Sequence, residues 1–190
     1  GGATVRAAIE RAGLPAEAVE EVIFGNVISA GLGPNPARQV SLAANLDPSV
    51  GATTVNKVCG SGLKSVMLAA QAVKSGDAHA VIAGGAENMT RAPFLLEKAR
   101  TGYRLGHGEL IDSVLRNGLW DPFEDRHMGE LGEACASKYG FDREAQDAFG
   151  VESYRRALQA QKAGRFTAEL VPIAESTRKG DLKHENDEEP

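Results

Sequence analysis

Thr53-Thr54-Val55-Asn56-Lys57-Val58-Cys59-Gly60-Ser61-Gly62-Leu63-Lys64-Ser65-Val66-Met67 is the stretch whose reading decides the fold. Thr53 to Val58 is rich in β-branched residues, which favour a pleated strand, and Gly60-Ser61-Gly62 permits a sharp turn into an apolar helical run. Cys59 therefore falls at a strand-to-helix corner. The first N–H groups of a helix lack intrahelical partners and carry partial positive charge, so an anion such as a thiolate is favoured there. Gly60 and Gly62 leave space around the sulfur and let backbone N–H groups approach an acyl oxygen, in the manner of a nucleophile elbow. The corner alone supports two readings of Cys59: an acyl-accepting nucleophile, or a small buried hydrophobe.

Outward from this corner the chain alternates helices and apolar strands. Ala3 to Ala12 places Val5, Ala8, Ile9 and Ala12 on one helical face, with Gly13 as the stop. Glu21 to Val27 is a strand with little alternation, hence buried on both faces. Gly31 to Pro36 is a loop whose prolines suit entry to a helix over Ala37 to Ala44, ended by Asn45. The helix after Cys59 runs to about Ser75 and is apolar nearly all round, which predicts burial in the middle of the fold. Ala78 to Ala83 is a third apolar strand, leading into Gly84-Gly85. Helices alternating with continuous apolar strands imply a parallel sheet covered on both faces.

After Pro93 the character changes. Glu97 to Arg126 is rich in charge, glycine and aromatics, with only Glu109 to Leu115 suited to a helix; such an excursion is functional or oligomeric more often than core. Leu131 and Cys135 share a helical face that ends at Tyr139-Gly140, a spacing that gives Cys135 a core role and no chemistry. Asp142 is an N-cap for a helix over Arg143 to Lys162. The polar run from Lys179 to Glu189 is expected to fray.

The chain has 190 residues, of which 42% are hydrophobic and 25% charged, with a formal net charge of −5. This is the composition of a soluble globular domain, and the acidic balance argues against general nucleic-acid binding, which needs a basic face. Two cysteines give neither a disulfide framework nor metal-ligand spacing, so no metal site is expected and a reducing, cytoplasmic setting is the simpler reading. No apolar run spans a bilayer and no signal pattern opens the chain, so no membrane partner is expected. The start at Gly1 and the charged tail suggest a fragment or a processed product. Of the histidines, His79 opens an apolar strand, His107 sits in a glycine-rich turn and His184 in the charged tail. His127 is the best site candidate, against a plain hydrogen-bonded role.

Asn56-Lys57-Val58-Cys59-Gly60-Ser61-Gly62-Leu63-Lys64-Ser65 closely resembles the acyl-cysteine signature of the thiolases. Ala83-Gly84-Gly85-Ala86-Glu87-Asn88-Met89-Thr90-Arg91-Ala92-Pro93 is similar to the same family's next block, and His127-Met128-Gly129 follows at about the family's interval. The resemblance covers nearly the whole chain and is nearest the acetyl-CoA acetyltransferase branch, in its N-terminal half. It implies an α/β thiolase fold, a layered αβα arrangement on a parallel or mixed sheet with an inserted loop domain, here incomplete. Residues 1–93 would form part of the N-terminal βαβ core and 94–190 part of the loop-domain insertion, with the C-terminal thiolase domain absent.

The resemblance also implies the chemistry. Cys59 would take an acetyl group from acetyl-CoA, its own N–H helping to hold the acyl oxygen, and a second acetyl-CoA would attack to give acetoacetyl-CoA, reversibly. Leu119, His127 and Met128 are carried over as substrate contacts around the coenzyme A end; Glu87, Asn88 and Met89 shape either the site or a subunit interface. Coenzyme A thioesters would be substrates rather than permanently bound cofactors, in fatty acid metabolism, and the assembly a homo-oligomer, a dimer or tetramer. The family's Asn-Glu-Ala-Phe and Gly-His-Pro blocks and its second catalytic cysteine have no counterpart here: Gly106-His107-Gly108 is no Gly-His-Pro, and Cys135 lacks a Cys-x-Gly setting. The full condensation by this chain alone is therefore not expected, and uncovered apolar faces predict association. The alternatives are a 3-ketoacyl-CoA thiolase of β-oxidation, a related synthase with an acyl cysteine, a cysteine thioesterase, and a non-catalytic coenzyme A-binding or oligomerisation module.

Overall fold

A computed structural model describes residues 1–178 and 180–187. The chain divides into two compact units, Gly1–Met128 and Gly129–Pro190. In the first, helix α1 (Gly2–Ala12) ends at Gly13, whose φ of 65° lets its N–H return to the last carbonyls. Strand β1 (Glu21–Gly25) follows, then α2 (Pro36–Ala43), β2 (Gly51–Val55), α3 (Ser61–Ser75) and β3 (Val81–Gly85). The α2 entry is built by Asn35, whose side chain accepts from the Arg38 N–H, and by Pro36 in the first helical turn. Asn45, at φ 62°, turns the chain out of the helix.

The three strands form one parallel sheet in the order β2-β1-β3. Glu21 lies opposite both Gly51 and Val81, and Gly25 opposite both Val55 and Gly85, so the carboxyl ends of all three strands are level. Val22 and Phe24 of β1 join Val5, Val19, Ala37, Ala44, Leu46 and Val50 in one buried cluster, with Ile9, Ala52 and Ile82 packed against it. By the two-residue alternation of a strand, Ile23 and Gly25 face the other way, toward α3. The covered parallel sheet expected from the sequence is thus present, with β2 and β3 set two or three residues from the boundaries read from composition.

Several expectations are corrected. On α1 the packed residues are Val5 and, half-buried, Ile9, while Ala8 and Ala12 are exposed. Helix α3 is not buried all round: Ser61, Ser65 and Ala69 are covered, whereas Leu63, Val66, Met67 and Val73 are exposed. Small side chains on its sheet face let the helix sit close, and Ser65 donates to the Gly84 carbonyl at 2.7 Å. Residues 109–115 are not one helix; β5 (Ile111–Asp112) pairs antiparallel with β4 (Phe94–Leu95), and a single π-helical turn occupies Leu115–Leu119. A two-stranded ladder of β6 (Trp120–Asp121) and β7 (Arg126–His127) closes the unit.

Helix α4 (Met128–Tyr139) begins at the end of the first unit, and Cys135 on it is exposed, not core. In the second unit α5 (Arg143–Lys162) starts at Asp142, whose carboxylate accepts from the Ala145 N–H at 2.8 Å. The tail does not fray throughout: β8 (Ile173–Thr177) and β9 (Gly180–His184) form an antiparallel hairpin, while Lys179 and Glu188-Glu189 lie outside the described residues. Among the described residues no helix is long and apolar enough to cross a membrane.

The contact that sets α3 against β1 is testable. A Cβ placed on Gly25 would lie 2.6 Å from the Ser61 carbonyl carbon and 2.7 Å from the Gly62 nitrogen, so backbone must move; one placed on Gly62 meets nothing within 4 Å. Gly25→Ala is expected to lower unfolding stability by about 2 kcal/mol, and Gly62→Ala to lower it not at all, in urea denaturation. On α5, hydrogen bonds from Arg155 and then Arg156 hold the Glu152 carboxyl at about 2. A lowered carboxylate pKa contributes stability that is complete above the unfolded value near 4.5 and is lost as pH falls toward 2. NMR titration of Glu152 is expected to give a midpoint well below that of the exposed glutamates at low salt; an ordinary midpoint contradicts the pairing.

Candidate active site

The level carboxyl ends of the strands release three segments toward one place: Asn26–Ile28 after β1, Asn56–Gly60 after β2 and Ala86–Met89 after β3. This is where a ligand site forms in open parallel sheets. The segments border an open cavity of about 470 Å³, which Val114, Gly118 and Leu119 also line, around the π-helical turn. Cys59 lines it and is exposed to it.

The corner carrying Cys59 turns in a way its composition does not announce. Gly60 has φ −90°, and the left-handed residue is Val58 at φ 49°. For a β-branched residue this conformation costs on the order of 1–3 kcal/mol and persists only where the surroundings determine it. They do so here. The Val58 N–H donates to Asn56 Oδ1 at 2.9 Å, and the Val58 carbonyl accepts from the Ser61 N–H at 3.1 Å and from the Ser61 hydroxyl at 2.6 Å. The glycines instead supply space: Gly25 lets β1 and the α3 N-terminus touch, and a Cβ on Gly85 would come within 3.3 Å of Gly62 Cα.

Opposite the corner, Glu87 ties two strand ends together. Its Oε1 accepts from Asn26 Nδ2 at 3.0 Å and from the Ile28 N–H at 3.2 Å, and its Oε2 from the Val27 N–H at 2.8 Å. Asn26 Nδ2 also donates to the Ala86 carbonyl at 3.0 Å, which fixes the amide's orientation. With three N–H donors on it, the Glu87 carboxylate serves as a clamp on the cavity wall. Asn88 caps the following 3-10 turn by accepting from the Arg91 N–H, and Met89 adds an exposed apolar side chain to the lining. Asn26 escaped the sequence reading; its signal was a polar residue at the end of a continuous apolar strand, aligned with the end of the Cys59 strand.

Of the four residues singled out from the sequence, Cys59 and Leu119 line one cavity. His127 and Met128 are not among its lining residues: His127 pairs with Trp120 in the β6–β7 ladder, one residue beyond Leu119, and Met128 opens α4. The Trp120 indole N–H donates to Asp125, in the turn between β6 and β7, at 3.0 Å. Of the other histidines, His79 meets Glu20 at the surface and His184 meets Glu175 in the β8–β9 hairpin, each at 3.2 Å.

A cysteine at a strained strand–helix corner, followed by Gly60 and Gly62 at the carboxyl ends of a parallel sheet, defines a strand–turn–helix elbow, and comparison with known proteins gives the family. The family model described as "Thiolase, N-terminal domain" matches residues 1–190, and the chain belongs to that family. It is 50% identical over 191 residues to an acetyl-CoA acetyltransferase of Pseudomonas aeruginosa, covering 100% of this chain and 49% of the relative. It is 52% identical over 181 residues to an acetyl-CoA acetyltransferase of Cupriavidus necator, covering 95% and 46%. The chain thus spans about half the length of the curated relatives it matches. The crystal structure of the Acat5 thiolase from Ascaris suum in complex with coenzyme A superimposes with a TM-score of 0.85 at 42% identity, covering 90% of this chain and 45% of that one. The thiolase fold implied by the sequence is therefore shown, for the N-terminal part.

Because Val58 carries the strain of the corner, Val58→Asn places there the residue that enters the left-handed region most readily after glycine. It is expected to raise stability by about 1 kcal/mol at unchanged m-value in urea unfolding, whereas a loss of that size contradicts the strain assigned to Val58.

Proposed function

We propose that the protein transfers acyl groups between coenzyme A thioesters through Cys59, as an acetyl-CoA C-acetyltransferase. The observation that carries the reading is the exposed Cys59 sulfur on a glycine-flanked corner inside a cavity, in a chain of the thiolase family. The Cys59 thiolate attacks the thioester carbonyl, a carbon–sulfur bond to the enzyme forms, and the bond to coenzyme A breaks; coenzyme A leaves as thiolate and takes up the proton that Cys59 gave away. One thioester replaces another, so the step is close to balanced in free energy. The Cys59 N–H is the donor proposed for the acyl oxygen.

The second step, attack by the deprotonated α-carbon of another acetyl-CoA to give acetoacetyl-CoA, needs a base for that proton and donors for the enolate oxygen. The cavity lining carries no imidazole, and its one carboxylate is Glu87, already clamped by three donors. The lining supports the acyl-exchange step of the reading; the acetyl-specific, carbon–carbon-forming direction rests on the names of the relatives. Leu119 is proposed as an apolar contact to the thioester arm, and His127, which pairs with Trp120 in the β6–β7 ladder, and Met128, the next residue, as contacts farther along it. Coenzyme A thioesters are read as transient substrates in fatty acid metabolism. The reading also has the protein in the cytoplasm, and as a homo-oligomer, the latter supported by the nearly complete exposure of Leu105 and Phe123 in the excursion after β4.

Incubation with acetyl-CoA followed by peptide mass spectrometry is expected to find one acetyl group on the peptide bearing Cys59, and none there in Cys59→Ser. Acetylation confined to Cys135, or none in a sample whose circular dichroism shows the folded chain, would falsify the reading.

A further inference from the structure

One side chain at the corner takes no part in the chemistry proposed above yet bonds to the backbone of both residues that lead into Cys59. We infer that Ser61 is a positioning residue for Cys59, its hydroxyl acting as the clasp that keeps Val58 left-handed and so presents the sulfur to the cavity. The inference relies on the proposed function only for the use to which that presentation is put.

Ser61 is the first residue of α3 and is 4% exposed. Its hydroxyl oxygen accepts from the Lys57 N–H at 2.8 Å, and its proton goes to the Val58 carbonyl at 2.6 Å. The two bonds reach back across Cys59 to the two residues before it. The Val58 carbonyl has one further donor, the Ser61 N–H at 3.1 Å, so both of its partners belong to Ser61. The Val58 N–H is held separately by Asn56 Oδ1 at 2.9 Å.

Remove the hydroxyl and the Lys57 N–H loses its acceptor while the Val58 carbonyl keeps a single, longer bond. A β-branched residue at φ 49° then has an open route back to the ordinary region, and the direction in which the chain enters Cys59 changes with it. The sulfur is then no longer held toward the cavity that Cys59 lines, and its accessibility to a reagent there falls. Neither packed neighbour supplies a replacement hydroxyl: Gly25 meets Ser61 from the sheet side with backbone alone, and Gly62 presents no side chain.

The test reads labelling of Cys59 by iodoacetamide in the purified protein, by peptide mass spectrometry, with the exposed Cys135 as reference within the same molecule. In Ser61→Ala the Cys59-to-Cys135 rate ratio is expected to fall about fivefold or more. In the double variant Ser61→Ala/Val58→Asn it is expected to return to within about twofold of wild type, because asparagine holds the left-handed conformation unaided. An unchanged ratio in folded Ser61→Ala overturns the inference, and so does a reduced ratio that Val58→Asn leaves reduced. If Ser61→Ala fails to fold, recovery of folding and of the ratio in the double variant supports the inference, and failure of the double variant overturns it. Absence of Cys59 acetylation by acetyl-CoA in wild type rejects the proposed function and leaves these ratios readable.

Discussion

The contact of Gly25 with the backbone of Ser61 and Gly62 is the constraint on which the site depends. Because β1 is the middle strand, its carboxyl end lies beside both β2, which leads into the Cys59 corner, and β3, which leads into Glu87. A side chain at position 25 would push α3 off the sheet. Without one, the helix N-terminus, the cysteine and the clamp all meet at the ends of three level strands. The cavity follows from that meeting: its walls are the segments that the strands release, and its apolar closure is the π-helical turn before β6. Such turns are rare and recur at functional sites.

The corner shows how strain and hydrogen bonding divide the work. Val58 occupies a conformation its side chain disfavours, and the cost is met by a closed set of bonds from Asn56 and Ser61 rather than by a glycine. Glycine at that position would turn more easily but would also leave the corner free to open. A branched residue locked by its neighbours gives a stiffer presentation of the sulfur. Glu87 does the same for the opposite wall, where one carboxylate fixes three N–H groups of the strand end beside it.

Much of this was legible in the sequence. Glu21 to Gly25 has no alternation because both faces of the central strand are covered, and Asn35-Pro36, Gly76 and Asp142 mark helix ends by capping chemistry that acts locally. What stayed hidden depended on contacts distant in sequence or on covers that periodicity does not report. The spacing of Leu63, Val66, Met67 and Val73 reveals an apolar face on α3 but not whether anything lies on it, and the same holds for Cys135 on α4. The two-residue ladders β4–β5 and β6–β7 are too short to carry a period. The β8–β9 hairpin is built from polar, exposed residues that composition assigns to a tail. At the site, Cys59 was found through its flanking glycines, while the turn at Val58 was invisible because β-branched residues ordinarily avoid positive φ.

The proposed function requires that the strand, corner and helix around Cys59 suffice to make it an acyl acceptor. Exchange of isotopically labelled coenzyme A into acetyl-CoA, with no second acceptor added, measures that step alone. Saturable exchange is expected, lost in Cys59→Ser and weakened in Gly25→Ala, where the helix N-terminus is displaced. Exchange that survives Cys59→Ser, or its absence from a folded wild-type sample, contradicts the proposed function.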